Sequence, residues 1–213
     1  MEDSQKEQFP YEIDAMGLRI VVEKDVFSPK HFNGWEIFTR NFPDVAGLDI
    51  LEVGCGTGVT SIYLAKHGAR KVVAIDVNPA AVKNTQENIR LNNLENIEAR
   101  GSDIFSGLKE GEKFDVIYWN MPFMYQDEEY EYSSMLERGL FDPGYILTDR
   151  FLKEAPQYLK EGGYVLLGTG DFGDIERFKK IADTYRYSYS LLSREDSTEI
   201  NPVDFQLFKL VRQ

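Results

Sequence analysis

The sequence predicts an α/β domain built on a mostly parallel sheet. Three observations carry that expectation. From Leu48 onward, short apolar segments alternate with segments of helical spacing. The first strand, DILEV, runs directly into the glycine turn GCGTG and then into a helix. Asp76, Asp103 and Asn120 close three successive later strands. Strand–helix alternation implies right-handed crossovers and parallel neighbours, and ligands of such sheets bind outside the carboxyl ends of the strands. The glycine turn and the three polar residues therefore converge on one edge, although they are far apart in the chain.

In chain order, the start up to about Gln8 is polar and reads as frayed. Residues 17–29, GLRIVVEKDVFSP, carry β-branched residues and a closing turn, and read as one or two short strands. Residues 35–42 have helical spacing. After DILEV, VTSIYLAKHG is a helix closed by Gly68. KVVAID is the next strand, and the helix after it opens at Pro79, which suits a first helical turn. NIEARGSD and FDVIYWN read as the third and fourth strands, and residues 121–144 as a long loop. ILTDRFLKEAPQYLK is a helix, GYVLLGTG a fifth strand, residues 175–185 a helix, and YSYSLLS and DFQLFKLV two closing strands. The expected division is an extension over residues 1–42, with short strands and a helix, and the sheet domain over residues 43–213.

Composition narrows the function classes. Hydrophobic residues make up 42% of the 213 and aromatics 13%, enough for a sizeable core. The net charge of -12 disfavours a general role in coating nucleic acid, because an acidic surface repels phosphate. One cysteine, Cys55, permits no internal disulfide and fits a reducing compartment. No apolar run is long enough to span a bilayer, and MEDSQKEQFP has no signal-peptide core. A cytoplasmic protein without a membrane partner is the expectation.

Gly54, Gly56 and Gly58 allow a tight turn and a close approach of backbone to ligand, with Cys55 inside the turn and lacking an evident base partner. The GxGxG spacing departs from the dinucleotide fingerprint GxGxxG. Asp76 suits the two hydroxyls of a ribose, or the N-cap of the helix opening at Pro79. Asp103, followed by Ile104, suits an exocyclic amine of adenine, or again a helix cap. Glu52, in the first strand, suits the ammonium of an amino-acid cofactor and is costly if buried without such a partner. His31 and His67 lack metal-ligand spacing and read as surface residues, and no metal is expected.

A glycine turn followed by two acids, each beyond its own strand, resembles the class I methyltransferase family from Leu48 to Arg212. The resemblance implies a seven-stranded Rossmann-like sheet, mostly parallel with an antiparallel strand at one edge and helices on both faces. It implies S-adenosylmethionine as cofactor, held by Glu52, Gly54, Cys55, Gly56, Gly58, Asp76, Asp103 and Ile104. Asn120-Met121-Pro122-Phe123 resembles the NPPY/NPPF motif of methyltransferases that act on planar, conjugated nitrogens, among them glutamine and adenine amino-group methyltransferases. Such a nitrogen delocalises its lone pair and is a poor nucleophile. The Asn120 side-chain oxygen and the Met121 carbonyl can hold its two hydrogens, Pro122 aims that carbonyl, and Phe123 offers a stacking face. Met121 stands where glutamine-modifying members have proline, and adenine-dimethylating enzymes often carry an aliphatic residue there.

Residues 138–167 are similar to the segment after NPPY in release-factor glutamine methyltransferases, and DVFSP to the segment that lies over the cofactor in them. Relatives carry an acid shortly after that proline, where this chain has Lys30-His31-Phe32-Asn33-Gly34. The larger amino-terminal helical domain of bacterial members has no counterpart here. The chain is closer in size to single-domain members, some of which work with a small partner subunit.

The expected activity is methyl transfer to nitrogen, with a protein glutamine amide as the favoured target. The alternatives are an exocyclic amine of adenine in RNA or DNA, or a small molecule. More distant are a nicotinamide oxidoreductase and a non-catalytic methyltransferase subunit. A nucleic-acid substrate is disfavoured by the charge and by the acidic run QDEEYEYSSM after NMPF. That run reads as a solvated face, and its position also suits contact with substrate.

Overall fold

The structure, a computed structural model, describes residues 2–197 and 203–213. The chain opens with a 3-10 turn at Glu2–Gln5 and a hairpin of β1 (Tyr11–Ala15) and β2 (Leu18–Val22). Met16 and Gly17, at φ 54° and 76°, make its two-residue turn, a left-handed pair matched to the twist of the strands. β1 falls outside the strands expected from the sequence, and the start is not wholly frayed, since Ser4 is buried.

There follow α1 (Gly34–Arg40), β3 (Asp49–Val53), α2 (Val59–Lys66), β4 (Lys71–Asp76), α3 (Pro79–Leu91), β5 (Ile97–Gly101) and β6 (Phe114–Asn120). The remainder is β7 (Met124–Gln126), β8 (Phe141–Pro143), α4 (Ile146–Glu154), β9 (Leu159–Gly170), α5 (Ile175–Thr184), β10 (Tyr187–Asp196) and β11 (Asp204–Arg212). Seven strands form one sheet in the order β10-β11-β9-β6-β3-β4-β5. The five from β9 to β5 are parallel, while β11 runs against both β9 and β10, so that the antiparallel pairing lies at the β10 edge.

Strand residues alternate between two cores, as the two-residue period requires. Ile50, Val72, Ala74, Val116, Tyr118 and Leu166 pack on one face with the hairpin and the first three helices. Leu51, Val73, Ile75, Ile117, Trp119 and Leu167 pack on the other with α4 and α5. The sheet is apolar on both sides because both are covered. Strand order reverses beside β3, whose neighbours β4 and β6 are fed by crossovers on opposite sides. That reversal opens a crevice at the carboxyl ends.

Two elements differ from the sequence expectation. The helix expected over residues 146–160 ends at Glu154 and gives way to a 3-10 turn at Ala155–Tyr158. Pro156 has no N–H to continue the ladder, and β9 then starts at Leu159, ahead of the expected GYVLLGTG. Residues 121–144 are not a plain loop: β7 and β8 pair in parallel, and a 3-10 turn lies at Glu137–Gly139. Among the described residues no helix is long and apolar enough to cross a membrane, and no cluster of three or more His, Cys, Asp or Glu side chains is arranged to hold a metal.

Candidate functional site

The turn after β3 carries the strongest local constraint. Gly54, Gly56 and Gly58 have φ of 70°, 57° and 79°, a region that L side chains rarely adopt. The Gly54 and Cys55 amides both donate to the Ile75 carbonyl, at 2.8 and 3.0 Å, which ties the turn to β4. A Cβ on Gly58 would stand 2.6 Å from Thr85 Cγ2 on α3, so this glycine also admits close helix packing. The Cys55 thiol is buried 3.4 Å from Thr85 Oγ1, and burial pushes its pKa well up, which makes it inert as a nucleophile.

Three acids stand beside this turn in different states. Asp76 accepts from the Gly56 amide at 2.9 Å and the Asn78 amide at 2.8 Å. Burial raises its pKa, against those backbone bonds. It is not the helix cap: that role falls to Asn78, whose side chain accepts from the Ala80 amide at 3.0 Å. Asp103 lies in a turn beyond β5 and caps no helix. Its carboxylate is half-exposed and paired with Arg150 at 3.0 Å. Ile104 beside it is buried, with φ 51°. Glu52 is buried and accepts from the amide of Ser61 at 2.9 Å and from its hydroxyl. Desolvation pushes its pKa up to about 8, so it holds a proton at neutral pH until a cation approaches.

Two cavities meet over these groups. The smaller, about 160 Å3, is bordered by Asp76, Asn78, Asp103, Ile104, Trp119 and Leu136. The larger, about 370 Å3, is lined by Glu52, Cys55, Thr60, Trp35, Phe123 and Phe205 among others. Phe27, Gly54, Gly56, Asn120 and Gly139 line both. Phe27, from DVFSP, crosses the junction, its Cβ 3.9 Å from the Cβ position of Gly56 and its ring 3.3 Å from that of Gly139. The segment resembling a cofactor cover therefore does lie over the cavities.

At the junction stands Asn120, the last residue of β6. Its side-chain amide has no hydrogen-bond partner among the described residues and faces both cavities. Met121 is buried and its amide donates to the Gly168 carbonyl at 3.0 Å, while its own carbonyl accepts no bond among the described residues. Pro122 lines the smaller cavity and Phe123 the larger, with the Phe123 ring edge-on to Phe205 at 6.3 Å.

The sequence-derived site residues thus line these two cavities, except Gly58, which faces Thr85 of α3 and borders neither. The acids of the run 126–135 do not join them: Asp127, Glu128, Glu129 and Glu131 line neither cavity, and Glu128 lies 3.7 Å from Arg177, while Met135 at the end of the run borders the smaller cavity. His31, expected on the surface, is half-buried in the larger cavity with Nε2 3.0 Å from Glu7. His67 is exposed and stacked on Tyr63. Trp35, Phe172 and Phe205 come to the larger cavity from α1, the β9–α5 connection and β11, and no local motif could have marked them.

The model of the methyltransferase small domain family matches residues 17–187. A protein of Methanocaldococcus jannaschii with the provisional name protein N5-glutamine methyltransferase is 38% identical over 173 residues, covering 79% of this chain and 85% of the relative. A release factor glutamine methyltransferase of Fusobacterium nucleatum is 36% identical over 132 residues, 57% of this chain and 37% of the relative. The chain thus spans nearly all of the first relative and just over a third of the second. Among solved structures, a T. thermophilus 16S rRNA methyltransferase in complex with AdoMet and guanosine superimposes with a TM-score of 0.67 at 20% identity. That match covers 96% of this chain and 50% of the other, and the likeness concerns the fold.

Proposed function

The chain belongs to the methyltransferase small domain family, and we propose that it transfers a methyl group from S-adenosylmethionine to the side-chain amide nitrogen of a glutamine in a protein. One observation carries this reading: the Asn120 side-chain amide, of a residue lining both cavities, and the carbonyl of the next residue Met121, which lines the larger one, have no hydrogen-bond partner among the described residues. Buried polar groups are normally paired, so a free acceptor pair at a cavity wall is set for a ligand with two N–H hydrogens.

The residues around the cavities fit the cofactor. Its two positive charges match Glu52 and the neighbouring carboxylates, with Asp76 toward the ribose and Asp103 and Ile104 toward the adenine. Gly54 and Gly56, which line both cavities, leave room for a close backbone approach. An ammonium beside Glu52 favours the ionised carboxylate and repays part of its desolvation. When bound, S-adenosylmethionine supplies an electrophilic methyl group on sulfur.

The other tasks fall to the chain. Asn120 Oδ1 and the Met121 carbonyl accept the two amide hydrogens, which keeps the nitrogen plane fixed and turns its face toward the methyl donor. They also stabilise the positive charge that grows on nitrogen as the new bond forms. Phe123 stacks against the planar amide, while Phe27 and Trp35 keep water from the reacting atoms. After transfer, the surplus proton on nitrogen lies against one of these oxygens and leaves through the open cavity to solvent.

We place the reaction in the cytoplasm, with a protein as the macromolecular partner. The test is transfer of tritiated methyl to protein, nucleic-acid and small-molecule fractions of a cell extract by the isolated chain. Label confined to protein is the expected outcome and makes a small partner subunit dispensable. Label in RNA or DNA, with submicromolar binding and a steep salt slope, promotes the adenine amine instead.

A further inference from the structure

A tyrosine outside the NMPF motif holds the motif in place. Tyr145 Oη donates to the Phe123 carbonyl at 2.9 Å and accepts from the Asp174 amide at 2.7 Å. The residue is 1% exposed, and its ring is edge-on to Tyr125 at 5.7 Å. Burial pushes its phenol up to about 12, so the hydroxyl keeps its proton as a donor.

The backbone that delivers this ring is unusual. Gly144 and Tyr145 have φ of 62° and 56°, and a left-handed tyrosine is costly unless the surroundings enforce it. They do. The Gly144 amide donates to the Gln126 carbonyl at 2.9 Å and the Tyr145 amide to the Asp142 carbonyl at 3.0 Å. Arg177 donates to the Gly144 carbonyl at 2.8 Å. The buried Asp142 carboxylate accepts from the Leu147 and Thr148 amides, both at 2.9 Å, and fixes the start of α4. From the other side, a Cβ on Gly173 would stand 2.7 Å from the Phe123 carbonyl and 2.8 Å from Tyr145 Oη. One on Gly170 would stand 2.9 Å from the Phe123 ring.

We propose that Tyr145 is a positioning residue for methyl transfer: its hydroxyl locks the Phe123 carbonyl and so fixes the direction of the Met121 carbonyl and the Phe123 ring. The proposal rests on the reading of Asn120–Phe123 as the acceptor-amide site. The turn is clamped at both ends, upstream by the Met121 amide on Gly168 and downstream by the Phe123 carbonyl on Tyr145. Pro122 removes one torsion between the clamps. Releasing the downstream end frees the peptide planes on which the Met121 carbonyl depends, and transfer is sensitive to such misalignment.

The test is Tyr145→Phe, which keeps the ring. With tritiated S-adenosylmethionine and a release factor as acceptor, kcat falls about tenfold or more while KM for S-adenosylmethionine stays unchanged. In the free protein, the 13C carbonyl resonance of Phe123 shifts. A merely structural role lowers the melting temperature and leaves both the kcat of the folded enzyme and KM alone. Gly173→Ala, which crowds the same carbonyl but keeps Tyr145, gives the same split and serves if Tyr145→Phe folds poorly. Wild-type kcat in Tyr145→Phe, or an unmoved Phe123 resonance, overturns the proposal. Full turnover by Asn120→Ala overturns the acceptor reading instead. Loss of turnover in Asn120→Ala with none in Tyr145→Phe overturns the role of Tyr145 alone.

Discussion

The two halves of the sheet edge hold their functional groups by different means. On the β3–β4–β5 side, two of the three acids are fixed by their own turn or by the adjoining one. Asp76 is bonded to the Gly56 and Asn78 amides and Glu52 to the first turn of α2, while Asp103 has its amide on Ser106 in its own turn and its carboxylate on Arg150 of α4. On the β6–β9 side, the Asn120–Phe123 turn depends on remote groups: Gly168 on β9, Tyr145 before α4, and Phe205 on β11. The first half is a set of local turns laid side by side. The second is a turn suspended between elements. The difference implies that substitutions near β3 and β4 act on cofactor binding or on local stability, whereas substitutions around β6 act on turnover.

The largest effect expected from breaking this division is at Asn120. Asn120→Ala loses about two to three orders of magnitude in turnover, because an acceptor that works in the transition state is removed. Calorimetric affinity for S-adenosylmethionine stays at the wild-type value. A parallel loss of affinity would mean that the two halves are not separate.

Gly58→Ala comes next, on stability. A left-handed backbone and a Cβ 2.6 Å from Thr85 together cost about 2–3 kcal/mol in urea unfolding. Asp76→Ala should weaken S-adenosylmethionine about tenfold or more in calorimetry, through the loss of two ribose hydrogen bonds, and should spare turnover at saturating cofactor.

The most diagnostic effect is at Glu52. Its folded pKa of about 8 lies above the 4.5 of an ordinary glutamate. As pH rises through that window, the unfolded chain has already lost the proton that the folded state still holds, so the stability contributed by the protonated form is lost. Glu52→Gln removes this titration, and its melting temperature without cofactor should fall less steeply between pH 5 and 8 than that of the wild type. Equal slopes would show that Glu52 is already ionised.

The same division explains what could be read in the sequence. The glycine turn, Asp76, Asp103 and NMPF stand at fixed places after strands, and the strand–helix alternation puts those ends together. Local periodicity is enough to find these residues in both halves of the site. Tyr145, Gly173 and Phe205 act only through contacts made by the folded chain, so neither spacing nor residue type marks them. Residues 121–144 misled for a related reason. β7 and β8 are three residues each, too short for a periodic signal, and their pairing is set by tertiary neighbours. The acidic run is close to NMPF in sequence, yet its carboxylates line neither cavity and only Met135 at its end reaches the smaller one.

The identity of the methylated atom tests the central claim most directly. The protein fraction of a cell extract incubated with the chain and S-adenosylmethionine, digested and analysed by tandem mass spectrometry, should carry an added methyl on a glutamine side-chain nitrogen. It should be absent when Asn120→Ala replaces the wild type. A methyl on lysine or arginine, or an unlabelled protein beside methylated adenine in RNA, would contradict the account.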